Sequence, residues 1–193
     1  MKNILYEPFP ETVSAGGQEY RIYTDFREWL RFADMLKDDA LNSAEKAQAC
    51  SMWLDPEPAY ITAELMQALL SFYRADDLQY RPETDGEPPE ETPRRPPLFD
   101  WPIDARYVLG DFLHFYRIDL HGIKYLHWWH FLSLFTALPD DSACMKRIAY
   151  RGADLSKIKN KDERQRIAGI QRQIALPFEF DDEMIGAALW EMK

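Results

Sequence analysis

Two adjacent tryptophans, Trp128 and Trp129, lie inside an aromatic stretch that runs from Asp111 to Leu138. Neighbouring side chains on a helix point about 100° apart. Burying one indole removes roughly 150–250 Å² from water, worth about 4–6 kcal/mol as an upper estimate. Both can be buried only if packing surrounds the helix or a partner covers one side. A central core helix and a protein interface are the two outcomes, and both stay open from the sequence.

The same stretch holds all four histidines, His114, His121, His127 and His130. His127 and His130 are three apart, so on a helix they share a face and, with His114 or Asp111, could chelate a metal. The spacing is not HExxH, and no glutamate lies between them. Helical projection of residues 124–138 puts Tyr125, Trp128, Leu132 and Phe135 on one apolar face. Leu126, Trp129 and Leu134 widen it. His127, His130 and Ser133 remain as a narrow polar stripe, which predicts two histidines at the wet edge of a mostly buried helix. The core or partner-interface set is therefore Tyr125, Trp128, Trp129, Leu132 and Phe135. His114, His127 and His130 are the candidate metal set that the projection disfavours, and no cofactor is expected.

Around this stretch the pattern predicts a mainly α protein with a small N-terminal β-hairpin. Gly16-Gly17 separates Thr12–Ala15 from Glu19–Tyr23 and supplies the positive φ of a tight hairpin turn. Asp25, with Glu28 three residues on, opens a helix whose apolar face is Phe26, Trp29, Leu30, Ala33 and Leu36. Ser43 begins a second helix that stops at Asp55-Pro56. Thr62 begins a third, with Leu65, Leu69 and Phe72 on one stripe. A helix over 103–117 with Ile103, Tyr107, Phe112 and Phe115 near one face follows. His121-Gly122 breaks it, and Pro139 stops the aromatic helix. Shorter helices are expected at 141–150 and 161–175, and a final one, capped by Asp181 or Asp182, carries Ile185, Leu189 and Trp190.

The whole is expected to form one domain over residues 1–193: a hairpin arm at 1–24, an acidic, proline-rich flexible loop at 76–98, and a helical half at 99–193 with the aromatic core. The loop mixes carboxylates with six prolines and resembles a solvated connector more than an SH3-type ligand.

Little else in the sequence carries chemistry. The adjacent pairs Asp38-Asp39, Asp140-Asp141 and Asp181-Asp182 fit helix caps. There is no GxSxG, and neither Cys50 nor Cys144 has a basic neighbour that would activate its thiol. No enzymatic activity is expected. The formal net charge of -10 argues against a surface built to bind phosphates throughout. Only residues 146–172 are locally basic, and a solvated or protein-facing role is preferred there over nucleic acid. No apolar run approaches the ~18 residues of a membrane span.

The runs Tyr116-Arg-Ile-Asp-Leu120 and Leu126-His-Trp-Trp-His-Phe131 resemble the gene-product-fifteen family of long-tailed bacteriophages and prophages of Gram-positive bacteria. Gly17-Gln-Glu-Tyr-Arg-Ile22, Asp25-Phe-Arg27, Phe99-Asp100, Asp104-Ala105, Leu138-Pro-Asp140 and Ile148-Ala-Tyr-Arg151 extend the resemblance over most of the chain. The family usually has lysine where this chain has His130, which lowers the metal reading further. The resemblance implies a tail-morphogenesis protein working in the bacterial host cytoplasm. It implies a tail assembly chaperone-like role, with the tape-measure protein or another tail protein, including a tail assembly chaperone, as partner. A homo-oligomer and a structural component retained in the virion are the further expectations.

Overall fold

A computed structural model of the chain describes residues 3–78 and 96–177. Among these, seven α-helices accompany one three-stranded antiparallel sheet. The described residues form two compact units, one of residues 3–78 and 125–132, the other of residues 96–124 and 133–177. The expected final helix, with Ile185, Leu189 and Trp190, and most of the proline-rich loop lie outside the described residues.

In the first unit, β1 (Thr12–Ala15) and β2 (Gln18–Ile22) form the expected hairpin. Gly16 and Gly17 take φ values of 58° and 74°, the left-handed pair that a two-residue turn matching strand twist requires. The hairpin is not alone. β3 (Leu54–Asp55) pairs with Ile22 and Arg21 on the other side of β2. The helix expected from Ser43 to Asp55 is therefore shorter: α2 (Ser43–Ala49) gives way to a 3-10 turn at Cys50–Trp53 and then to this strand.

Helix α1 (Phe26–Leu36) starts at Asp25, whose carboxylate accepts from the Arg27 N–H. Its buried face is Phe26, Trp29, Phe32, Ala33 and Leu36, with Phe32 in the place expected for Leu30. Asn42 and Glu45 make a full capping box at the start of α2. Helix α3 (Ala63–Arg74) is capped by Thr62, buries Leu65, Leu69, Phe72 and Tyr73, and packs beside β1. It ends at Ala75 in the left-handed region.

In the second unit, Asp100 caps α4 (Trp101–Asp111), which runs on as a π-helical turn at Phe112–Tyr116 and ends at Arg117 with positive φ. Its buried face is Trp101, Asp104, Val108 and Asp111, at spacings of three, four and three. The face expected from hydropathy is corrected: Ile103 is 43 % exposed and Phe115 is 36 % exposed. The two aspartates sit where apolar residues were sought, and the wider π turn shifts the helical phase beyond Phe112. Helices α6 (Ala143–Gly152) and α7 (Lys161–Ile174) follow, capped by Ser142 and Asn160. Between α4 and α6, α5 (Trp128–Thr136) begins in the first unit and ends in the second.

Candidate functional site

The aromatic box is built on the end of another helix. The last carbonyls of an α-helix lack intrahelical donors. The Trp128 indole N–H donates to the Tyr73 carbonyl at 2.8 Å, and the Trp129 indole donates to the Phe72 carbonyl at 2.8 Å. Two adjacent tryptophans thus close the C-terminal end of α3. Tyr73 stacks on Trp128 with ring centroids 5.5 Å apart, and Phe72 stacks on Trp129 at 5.3 Å. Phe131 lies between Phe26 at 4.8 Å and Trp128 at 5.6 Å. Trp128 has no exposed surface, and Trp129 and Leu132 are buried too. Phe135 is buried in the second unit, against Trp101 at 5.0 Å and Phe99 at 5.1 Å.

Tyr125 departs from the set. It is 54 % exposed, precedes the helix and shares a 2.8 Å hydrogen bond with Thr24. The residues before α5 are extended. Asp25 and His127 form an antiparallel bridge, flanked by Phe26 N–H to the Leu126 carbonyl and Trp128 N–H to the Thr24 carbonyl. A helical projection beginning at 124 consequently misplaces His127.

His127 is buried, not at a wet edge. Its ring stacks on Phe9 with centroids 4.7 Å apart. Nδ1 accepts from the Trp129 N–H at 3.1 Å, so the ring proton resides on Nε2, which donates to the Pro10 carbonyl at 3.1 Å. Both nitrogens are engaged by the protein, leaving neither for a metal. His130 is exposed on α5, and His114 belongs to the other unit, on the π-helical turn. Among the described residues no group of three or more His, Cys, Asp or Glu side chains converges as a metal site.

Burial lowers the His127 pKa, against the opposing effects of the Pro10 hydrogen bond and the Glu11 charge. The folded ring therefore binds a proton less readily than the unfolded one, whose ordinary value is 6.5. Below that pH the unfolded state holds more protons, so stability falls as the pH drops. A urea midpoint lower at pH 5.5 than at pH 7.5 is expected, and His127→Gln should flatten that slope. An unchanged slope in the variant would contradict the assignment.

The second unit holds a polar cluster that hydropathy did not reveal. Asp104 accepts from Arg151 at 2.5 and 2.9 Å and from Arg147 at 3.2 Å. Arg151 also donates to the Leu98 and Ile174 carbonyls at 2.9 and 2.7 Å. Burial by itself would raise the Asp104 carboxyl. The Arg151 hydrogen bonds, the Asp100 N–H, the Arg151 charge and Arg147 together outweigh it and hold the carboxyl below its usual value. Two turns on, Asp111 accepts from the Ala143 and Cys144 N–H groups at 3.1 and 2.8 Å, beside the Ser142 cap. Asp111 is thus a helix-end acceptor rather than a metal ligand.

Part of the basic segment is engaged in internal pairs. Besides Arg147 and Arg151, Arg166 pairs with Glu163 and Lys157 with Asp154. Burial pushes both cysteine thiols up to about 12, so both stay protonated at neutral pH.

The family model for the bacteriophage Gp15 protein matches residues 5–176. The chain belongs to that family. It is a bacteriophage protein, and the matched region spans both units and every residue of the aromatic box. No curated protein and no solved structure matches the chain. No helix among the described residues is long and apolar enough to cross a membrane.

Proposed function

We propose that this member of the bacteriophage Gp15 family acts in tail assembly as a noncatalytic binding protein for the tape-measure protein or another tail protein. Family membership supports the setting. The π-helical turn supports the binding surface. It turns Phe112 fully inward and lets the Tyr116 hydroxyl donate to the Leu134 carbonyl, while Leu113 is 52 % exposed and Phe115 36 %. Exposed apolar side chains on a π turn suit a partner surface, because such turns re-aim side chains and recur at functional sites. The tryptophans, which the sequence left open as an interface, are used up in the chain's own core. The partner's exposed helices would meet Leu113 and Phe115 instead, in a helix-in-groove mode.

Co-expression with the tape-measure protein tests this reading. A soluble complex recovered by pull-down is expected, with Leu113→Glu/Phe115→Glu reducing its yield several-fold while the variant stays folded. No complex and no gain in tape-measure solubility would sink the proposal. A structural component retained in the virion is the second reading, and mass spectrometry of purified particles separates the two.

A further inference from the structure

β2 of the first unit is covered unevenly. β1 pairs with it along Gln18–Arg21, whereas β3 pairs only with Arg21 and Ile22. The Ile22 N–H donates to the Glu11 carbonyl on the β1 side, and the Tyr23 N–H donates to the Trp53 carbonyl on the β3 side. Backbone groups in an antiparallel ladder alternate sides. Glu19 therefore directs its N–H and C=O the same way as Tyr23, past the point where β3 stops at Asp55. Pro56 follows, and a cleft of about 420 Å³ opens beside this edge.

Tyr20, Pro58 and Tyr60 give the cleft apolar faces. Its charge is one-sided: Glu19, Asp55 and Glu57 stand against Arg21 alone. Glu57 is oriented by the buried Ser51, whose hydroxyl donates to it at 2.6 Å. Aromatic and proline faces with a carboxylate rim suit an extended, proline-containing, cationic peptide. Such a peptide pays little ordering entropy and brings guanidinium groups to the acids.

The chain carries one such sequence, Pro93-Arg94-Arg95-Pro96-Pro97. We propose that the cleft binds this segment of a second copy of the chain. The two arginines face the carboxylate rim, the prolines lie against Tyr20 and Tyr60, and an arginine backbone group meets the open edge at Glu19. The contact uses none of the Leu113 and Phe115 surface residues and is independent of the tail-assembly reading.

Fluorescence anisotropy with a labelled synthetic peptide of residues 92–98 tests this. The peptide is titrated with full-length Arg94→Glu/Arg95→Glu protein, whose own segment cannot compete. Saturable, salt-weakened binding is expected, with a loss of about tenfold or more on adding Tyr60→Ala or Glu19→Lys. Tyr60 is 71 % exposed and Glu19 is exposed, so an unchanged urea midpoint should confirm that both variants fold. In sedimentation, the wild-type chain should associate with rising concentration and the Arg94→Glu/Arg95→Glu chain should not. No peptide binding, or binding indifferent to both cleft variants, overturns the proposal. So does a wild-type chain that stays monomeric while its charge-reversed variant takes up the peptide, because the occupant is then supplied from within one chain.

Discussion

Trp128→Ala is expected to lower the unfolding free energy by about 3–5 kcal/mol. The residue is completely buried, so truncation leaves a cavity against Tyr73 and Phe131, both of which stack on its ring. It also removes the indole donor to the Tyr73 carbonyl in the last turn of α3. Trp128→Phe separates the two losses. It restores most of the apolar area but not the indole N–H, and should cost about 1–3 kcal/mol, the range for a buried acceptor left unpaired. Urea unfolding monitored by far-UV circular dichroism measures both. Equal costs for the two substitutions would mean that the cavity matters little and the hydrogen bond dominates.

Asp104→Ala should be comparably severe, at about 3–5 kcal/mol. The Arg151 side chain is 3 % exposed and would keep its charge with two backbone carbonyls as its remaining acceptors. The loss comes from stranding that charge, not from the intrinsic worth of the ion pair. Replacing both partners, as Asp104→Leu/Arg151→Met, should therefore recover most of the stability. The carboxyl is held low in the folded state, so its contribution is present above the unfolded value of 3.8 and is lost as the pH falls through the lower folded value. The double variant should lose this part of the acid sensitivity. A double variant as unstable as Asp104→Ala would show that packing around Arg151, and not charge, is what the cluster provides.

The elements that local chemistry determines were legible. Gly16-Gly17 forced the hairpin turn, Asp25 and Thr62 opened their helices, and Leu65, Leu69 and Phe72 lined α3. The mainly helical class with a small hairpin followed from these. What escaped was decided by tertiary context. β3 is two residues long and exists because Leu54 and Asp55 meet β2, so the sequence around it reads as a continuing helix. The inward face of α4 includes Asp104 and Asp111, and hydropathy steered the projection to Ile103 and Phe115 instead. A signal was nevertheless present: Arg147 and Arg151, four apart, share one face of α6, and both meet Asp104.

The aromatic stretch shows both outcomes together. Of the set read as core or partner interface, Trp128, Trp129, Leu132 and Phe135 are buried. The polar stripe does not include His127, because the helix begins at Trp128, four residues after Lys124, and the chain before it is extended. The roles of the indole N–H groups as helix-end donors depend on where α3 stops, which no pattern within residues 124–138 contains.

The tryptophan pair is internal scaffold, with each indole N–H committed to a carbonyl of α3. Hydrogen exchange of the Trp128 and Trp129 indole N–H protons, followed by NMR on the isolated chain, tests it most directly. Both should exchange only through large-scale opening, with protection approaching that of the most protected backbone amides. Rapid exchange of either indole, at the rate of an exposed tryptophan, would contradict the account and return the pair to the role of a partner-facing surface.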